Sequence, residues 1–328
     1  MSGQININKK ILLTPSAGNE NKLKSFTDNF GSWGLFLILS IIWGSSFILM
    51  KGGLIALSAI QVASLRILFA ALILLPWAIK YLKTIPRQKI LMVLLSGILG
   101  SLLPAYLFCI AEQKIDSGIA GTLNSLTPLF VMITGVIFFK TNISSKKILG
   151  IIIAFLGSIL LLYGKGGIDY KNNIGYGLLI LLATLSYGLN ANLVHRFLSD
   201  IGSLKIASVA LVLCSFPALI ILYTTGFFRM EILDSKTTMS LVYTAILGIF
   251  GTAFANILYY KLLKRSGAVF SSMVTYCIPV VANIWGIIFG ERIGLFQFAC
   301  MVLILLGVYT ANVNFNFRVN FFFRPANK

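Results

Sequence analysis

The chain has 328 residues, 58% of them hydrophobic and only 11% charged, with a formal net charge of +18 and a mean hydropathy of +0.91. Soluble domains carry about a quarter charged residues, so a water-soluble fold is excluded. The positive charge does not mark a nucleic-acid binder, because it lies on short connectors between apolar runs and follows a topological rule set out below.

Residues 1–32 are polar, with lysines and asparagines and no apolar h-region, so they read as a mobile cytoplasmic tail and not as a cleavable signal peptide. Ten apolar runs follow, at about 33–54, 58–79, 88–111, 117–139, 146–164, 174–198, 203–225, 238–261, 266–289 and 294–313. Each is close to the roughly 20 residues that cross a bilayer as a helix. The runs are continuously apolar rather than alternating, which argues for helices over barrel strands. With the amino terminus placed inside, the inner connectors collect Lys80, Lys83, Arg87 and Lys89, then Lys140, Lys146 and Lys147, then Arg196 and Lys205, then Lys261, Lys264 and Arg265. The outer connectors hold few, among them Lys51, Lys114, Lys165, Lys171, Arg229, Lys236 and Arg292. This is the positive-inside distribution, and it predicts both termini in the cytoplasm. The end of the chain, FNFRVNFFFR at 315–324, reads as an interfacial anchor within a cytoplasmic carboxy-terminal tail, 314–328.

The first run contains IIWGSSFILMKGGL (41–54), where Gly44 and Ser45 permit close helix contact and Lys51, Gly52 and Gly53 end the helix at the surface. The second run carries Arg66 about two turns inside. A cation there costs roughly 2.5–3.5 kcal/mol on insertion scales and faces a cavity or a partner. Two roles fit it: an anchor for a substrate carboxylate or phosphate, or a structural guanidinium that bonds backbone carbonyls or snorkels outward. The third run holds Gly97, Gly100, Pro104 and Tyr106. The fourth sets Ser117, Gly121, Asn124 and Pro128 on one stripe, with Thr127 beside it. In the sixth come Tyr187, Asn190 and Asn192; in the eighth, Gly248, Gly251, Asn256, Tyr259 and Tyr260; in the ninth, Ser272, Tyr276, Pro279, Asn283, Gly286 and Gly290. Intramembrane prolines free carbonyls that other groups must satisfy, and broken helices in corresponding positions point to a transport site.

These landmarks recur in order. SIIWG (40–44) matches TLSYG (184–188), SGILGSLLPAY (96–106) matches LGIFGTAFANI (247–257), and SGIAGTLNSLTP and SGAVFSSMVTYCIP end on Pro128 and Pro279. Gly135 pairs with Gly286, and Gly157 with Gly307. The predicted fold is therefore all-α and integral to the membrane: ten transmembrane helices in two five-helix repeats, 33–164 and 174–313, joined by a linker at 165–173. Five crossings is an odd number, so the second copy is inverted, and inverted repeats place a shared site near the midplane that can face either side in turn. The expected substrate-binding residues are Trp43, Ser46, Arg66, Tyr106, Asn124, Tyr187, Asn190, Tyr259, Tyr276 and Asn283, with Pro104, Pro128 and Pro279 as kink or gating positions.

Catalytic chemistry has little to work with. The only histidine, His195, sits beside Arg196 at a span end, and the acids Glu112, Asp116 and Glu291 lie at span edges. Cys109, Cys214, Cys277 and Cys300 fall inside runs without a CxxC pair, so neither a metal site nor a disulfide is expected, and no cofactor is implied. The competing readings are a membrane enzyme acting on lipid, which would depend on His195 and Arg196, and a non-transporting sensor or scaffold.

Taken together, WGSSFILMKGGL followed by SLRILFAALILLP, and the closing CIPVVANIWGIIFGERIGLFQFACMVLILLGV, resemble the EamA-type members of the drug/metabolite transporter superfamily. The chain departs from that pattern at Lys140, where the first copy often carries Glu, and at Cys300, which replaces a common glycine. The resemblance, over about 33–313, implies ten helices in two inverted halves, with helices 5 and 10 to the side of a central cavity. It implies secondary transport, often export, of small organic metabolites such as amino acids. The expected partners are such a solute and the lipid bilayer of the cytoplasmic (inner) membrane, with a homodimer as a further option.

Overall fold

A computed structural model describes residues 17–115, 117–140, 144–164, 170–230, 234–288 and 294–312. Residues 1–16, Asp116, most of the 165–173 linker, Gly290, Glu291, Arg292 and the tail from 313 onward lie outside them. The described residues form helices joined by short turns, without strands. The elements are α1 (Ala17–Gly53), α2 (Ala59–Leu82), α3 (Arg87–Gly97), α4 (Leu103–Glu112), α5 (Ser117–Asn124), α6 (Thr127–Phe139), α7 (Ser145–Gly164), α8 (Tyr170–Phe197), α9 (Ser203–Thr224), α10 (Ser235–Ile246), α11 (Ala255–Ser272), α12 (Val274–Ile288) and α13 (Leu295–Asn312). Among the described residues, seven helical stretches are long and apolar enough to cross a membrane, and Val274–Ile288 is a shorter apolar helix. The protein is an all-α, multi-pass membrane protein.

The residues expected to form a mobile tail are partly helical, since α1 begins at Ala17, well before its apolar stretch at Gly31–Gly53. Entry into α2 is set by a capping box: the Ser58 hydroxyl accepts from the Gln61 N–H at 3.3 Å, and Gln61 Oε1 accepts from the Ser58 N–H at 2.9 Å. Lipid offers no hydrogen bonds, so buried hydroxyls turn back on their own helices. Ser40 donates to the Phe36 carbonyl (2.8 Å), Thr122 to Gly118 (2.6 Å) and Thr244 to Ser240 (2.8 Å).

The run 88–111 is not one regular helix. Ile98–Leu102 between α3 and α4 is π-helical, and so is Leu247–Phe254 between α10 and α11. Each widened turn carries a glycine that the repeat had aligned, Gly100 and Gly251. The run 117–139 is broken at Ser125 and Leu126, between α5 and α6. Pro128 in the first turn of α6 has no N–H, and the Asn124 carbonyl it would have bonded is taken by the Thr127 hydroxyl at 2.7 Å. In the second half the chain kinks at Gly267, which adopts φ 80 and ψ 170, a conformation that other residues rarely adopt. It breaks again at Met273, after which the Thr275 hydroxyl bonds the Ser272 carbonyl at 2.8 Å. The three expected kink prolines thus occupy different places. Pro128 adjoins a break, Pro104 opens α4 after the π segment, and Pro279 lies within α12, away from the break at Met273.

The main packing pairs are α7 with α13, α2 with α9, α6 with α8 and α1 with α12. Small residues make these approaches possible. A Cβ on Gly307 would stand 2.5 Å from the Ala154 nitrogen and 2.7 Å from the Gly150 carbonyl oxygen, so α7 and α13 touch backbone to backbone. At Gly44 a Cβ would run into Val281 of α12, while Ser45 accepts a hydrogen bond from the Trp285 indole at 2.7 Å. Gly52 and Gly53 do more than end a helix: they let α1 pass against Tyr243 and Thr244 of α10. On one surface Lys89 Nζ pairs with Asp200 at 2.6 Å, and this bond holds the exposed carboxyl below its ordinary range.

Gly307→Ala is expected to lower the midpoint of thermal unfolding in detergent by several degrees, because backbone atoms must move at a cost of about 1–3 kcal/mol. Gly175→Ala, in a helix and with nothing within 4 Å of the added carbon, should leave the midpoint unchanged or slightly raised. Equal effects at the two sites would contradict the packing described.

Candidate functional site

The helix irregularities surround one space of about 700 Å³, counting the part open to solvent. From α1 it is lined by Trp43, Ser46, Phe47 and Met50, from α2 by Arg66, and from the first π segment and α4 by Gly100 and Phe108. Asn124 and Thr127 contribute from either side of the α5–α6 break, and Tyr187 and Asn190 from α8. Asn256, Tyr259 and Ser272 come from α11, and Thr275 and Ile278 from α12.

Arg66 is the only lining residue with a formal charge at neutral pH. It is half-buried, and both its Nε and Nη2 donate to the Thr252 hydroxyl oxygen, at 3.2 and 3.1 Å. Thr252 belongs to the second π segment and donates back to the Leu247 carbonyl at 3.3 Å. The segment can come this close because Gly248 lies on α2: a Cβ there would be 2.7 Å from the Arg66 carbonyl oxygen. A guanidinium has five N–H donors, and no carboxylate pairs with this one among the described residues. The structural role foreseen for Arg66 is therefore filled by a threonine hydroxyl rather than by backbone carbonyls, with donors to spare.

The walls are aromatic and amide. The Trp43 indole N–H donates to the Gly251 carbonyl at 3.2 Å, leaving its ring against Tyr259 at a centroid distance of 5.2 Å. At one end Phe108 packs edge-on against Phe47 (5.9 Å, 81°) and stacks with Tyr187 (6.1 Å, 25°). Ser46 donates to the Ile42 carbonyl at 2.9 Å, and Asn256 donates to Ser101 at 2.8 Å. Asn190 is buried with its Oδ1 unpartnered, a cost of about 1–3 kcal/mol unless a ligand or water donates to it.

Seven residues expected from the sequence thus meet around one space: Trp43, Ser46, Arg66, Asn124, Tyr187, Asn190 and Tyr259. Three lie elsewhere. The Tyr106 hydroxyl is bonded to Ser64 at 2.7 Å between α4 and α2, Tyr276 is 1% exposed within α12, and Asn283 donates to the Pro279 carbonyl at 2.7 Å. Thr127, Asn256 and Ser272 carry a polar signal on the helices already singled out. Phe47, Met50, Phe108 and Ile278 carry none, being apolar residues in apolar runs. His195 and Arg196 are exposed at the end of α8 and do not line the space. Among the described residues no cluster of His, Cys, Asp or Glu could hold a metal ion, and Cys109, Cys214, Cys277 and Cys300 are unbridged.

The EamA-like transporter family model matches this chain twice, at residues 32–163 and 175–313. The chain belongs to the EamA-like transporter family. It is similar to an "Uncharacterized transporter" of Archaeoglobus fulgidus, with 32% identity over 284 residues, 84% of this chain and 97% of that one. It is also similar to the "Uncharacterized inner membrane transporter YedA" of Escherichia coli K12 (26% identity, 84% of this chain and 91% of that one) and to "Protein PagO" of Salmonella typhimurium (22%, 87% and 94%). A protein of known crystal structure shares the fold, with a TM-score of 0.66 over 86% of this chain and 96% of its own at 12% identity. This EamA-like protein is a membrane transporter.

A cysteine at Thr275, facing the space, is expected to react with a charged thiol reagent in the detergent-solubilised protein. The native Cys109 and Cys214, both 0% exposed, should stay unmodified until the protein unfolds. Labelling of Cys109 before Thr275→Cys would show that the space is not the water-accessible one.

Proposed function

We propose that this EamA-like transporter is a secondary carrier for small organic solutes bearing a carboxylate, amino acids among them, and that it works by alternating access. The observation that carries the reading is the single guanidinium in an otherwise neutral, aromatic and amide-lined space: Arg66, with donors beyond those that Thr252 occupies. A guanidinium matches a carboxylate in plane and charge. Trp43, Tyr187 and Tyr259 present apolar surface for the rest of the solute, and Asn190, whose Oδ1 has no partner, would accept from an ammonium or hydroxyl group.

Alternating access is supported by the way the two halves correspond. We read the chain as ten spans in two inverted sets of five, with both termini cytoplasmic. The π segments recur at Gly100 and Gly251, and the broken helices recur with a threonine hydroxyl closing each break. Exchanging the halves maps α6 on α8 to α12 on α1, while α2 with α9 and α7 with α13 map onto themselves. A scaffold with this exchange has two near-equivalent closures, one per side.

The test is counterflow in proteoliposomes over a panel of amino acids, hydroxy acids and dicarboxylates, with solute loaded on either side so that direction is measured. Arg66→Ala is expected to reduce counterflow by about a hundredfold or more, in line with about 3 kcal/mol for a charged hydrogen-bonded contact. Arg66→Lys should recover only part of it, since an ammonium cannot form the paired contact. Counterflow by Arg66→Ala at the wild-type rate would overturn the reading.

A further inference from the structure

Glu112 ends α4 and is 1% exposed, and neither of its carboxyl oxygens has a hydrogen-bond partner. It lies one helical turn beyond Phe108, behind the aromatic end of the space formed with Phe47 and Tyr187. Among the described residues its charged neighbours are Lys51 in the last turn of α1 and Arg66 on α2, and neither closes an ion pair with it. Of the other elements packed on α4, α5 carries no ionisable side chain and α8 brings Tyr187. On α4 itself, Cys109 sits within reach of both Arg66 and Glu112, and Tyr106 is bonded to Ser64. Lys114, in the next connector, is exposed.

An ionised carboxylate buried without a hydrogen bond or an ion pair costs several kcal/mol, whereas the neutral acid costs far less. In this conformation, then, the pocket around Glu112 suits the carboxyl with its proton on. A shift of α1 or α2 that brought Lys51 or Arg66 against the carboxylate would stabilise the ionised form. Those two helices also carry the walls of the solute space.

We propose that Glu112 is a proton-binding site, and that its proton is linked through Arg66 to occupancy of the central space. The linkage half rests on the reading of Arg66 as the anion anchor. A solute carboxylate on the guanidinium cancels the positive charge that would favour ionised Glu112, so solute anion and proton strengthen each other's binding, and by linkage the effect is reciprocal. Proton and anionic solute then move in the same direction.

The proton site can be tested without any solute, by infrared difference spectroscopy of the full chain in lipid nanodiscs between neutral and strongly alkaline buffer. The wild type is expected to show the stretch of a protonated carboxyl that disappears at alkaline pH. Glu112→Gln should lack this band and Glu112→Asp should keep it. A wild-type spectrum without such a band, or a band that survives in folded Glu112→Gln, overturns the site. Arg66→Gln is expected to move loss of the band to more alkaline pH, and an unmoved band overturns the linkage. In proteoliposomes, uptake of the best panel solute driven by an imposed proton gradient should fall in Glu112→Gln to its level without a gradient. Driven uptake equal to wild type in that variant overturns coupling through Glu112. Failure of every panel solute would sink the cavity reading alone, because the infrared measurement stands apart from it.

Discussion

The bond from Arg66 to Thr252 joins the two halves of this protein at the place where its function is proposed. A guanidinium inside a membrane helix is tolerated only where something solvates it. Here that is a hydroxyl on a π turn of the opposite half, brought into range because Gly248 lets that turn rest on the backbone of α2. The Trp43 indole reaches across in the same way to the carbonyl of Gly251. The space between the halves is thus held open by polar contacts at its rim, and its single charge is oriented without being neutralised.

The irregular backbone follows from the same constraint. In lipid each N–H and C=O needs a partner, so departures from the α-helix are confined to places where protein groups can supply one. The two π segments and the two breaks fall around the central space, and the carbonyls of Asn124, Ser272 and Gly251 are taken by Thr127, Thr275 and Trp43. Outward-facing side chains such as Leu72, Ile79, Ile220 and Tyr223 are exposed, as lipid contact requires. Where backbone bonds are weakest, motion is easiest, and under the alternating access proposed above the same four places would serve as hinges.

The helical, membrane-spanning character was legible in the sequence because hydropathy reports it directly, and Arg66 was legible because an intramembrane cation is conspicuous. Trp43, Asn124, Tyr187, Asn190 and Tyr259 could be found because polar or amphipathic side chains stand out in apolar runs. The rest was hidden for identifiable reasons. Phe47, Phe108 and Ile278 line the space but look like any lipid-facing residue. Tyr276 and Asn283 share the polar signal yet serve α12 and its packing, since helical phase places them away from the space. Pro279 marks a helix without marking its break, which lies at Met273. Glu112 reads as a span-edge acid in the sequence, and only three-dimensional packing shows it to be enclosed.

The central claim is that one guanidinium sets the charge of the solute. It is tested most directly by pairing each acid of the panel with its own carboxamide in counterflow, since the amide keeps size and hydrogen bonding but loses the negative charge. The account predicts that the acid outcompetes its amide by about tenfold or more, equivalent to at least about 1.4 kcal/mol. Amides carried as well as their acids would contradict it.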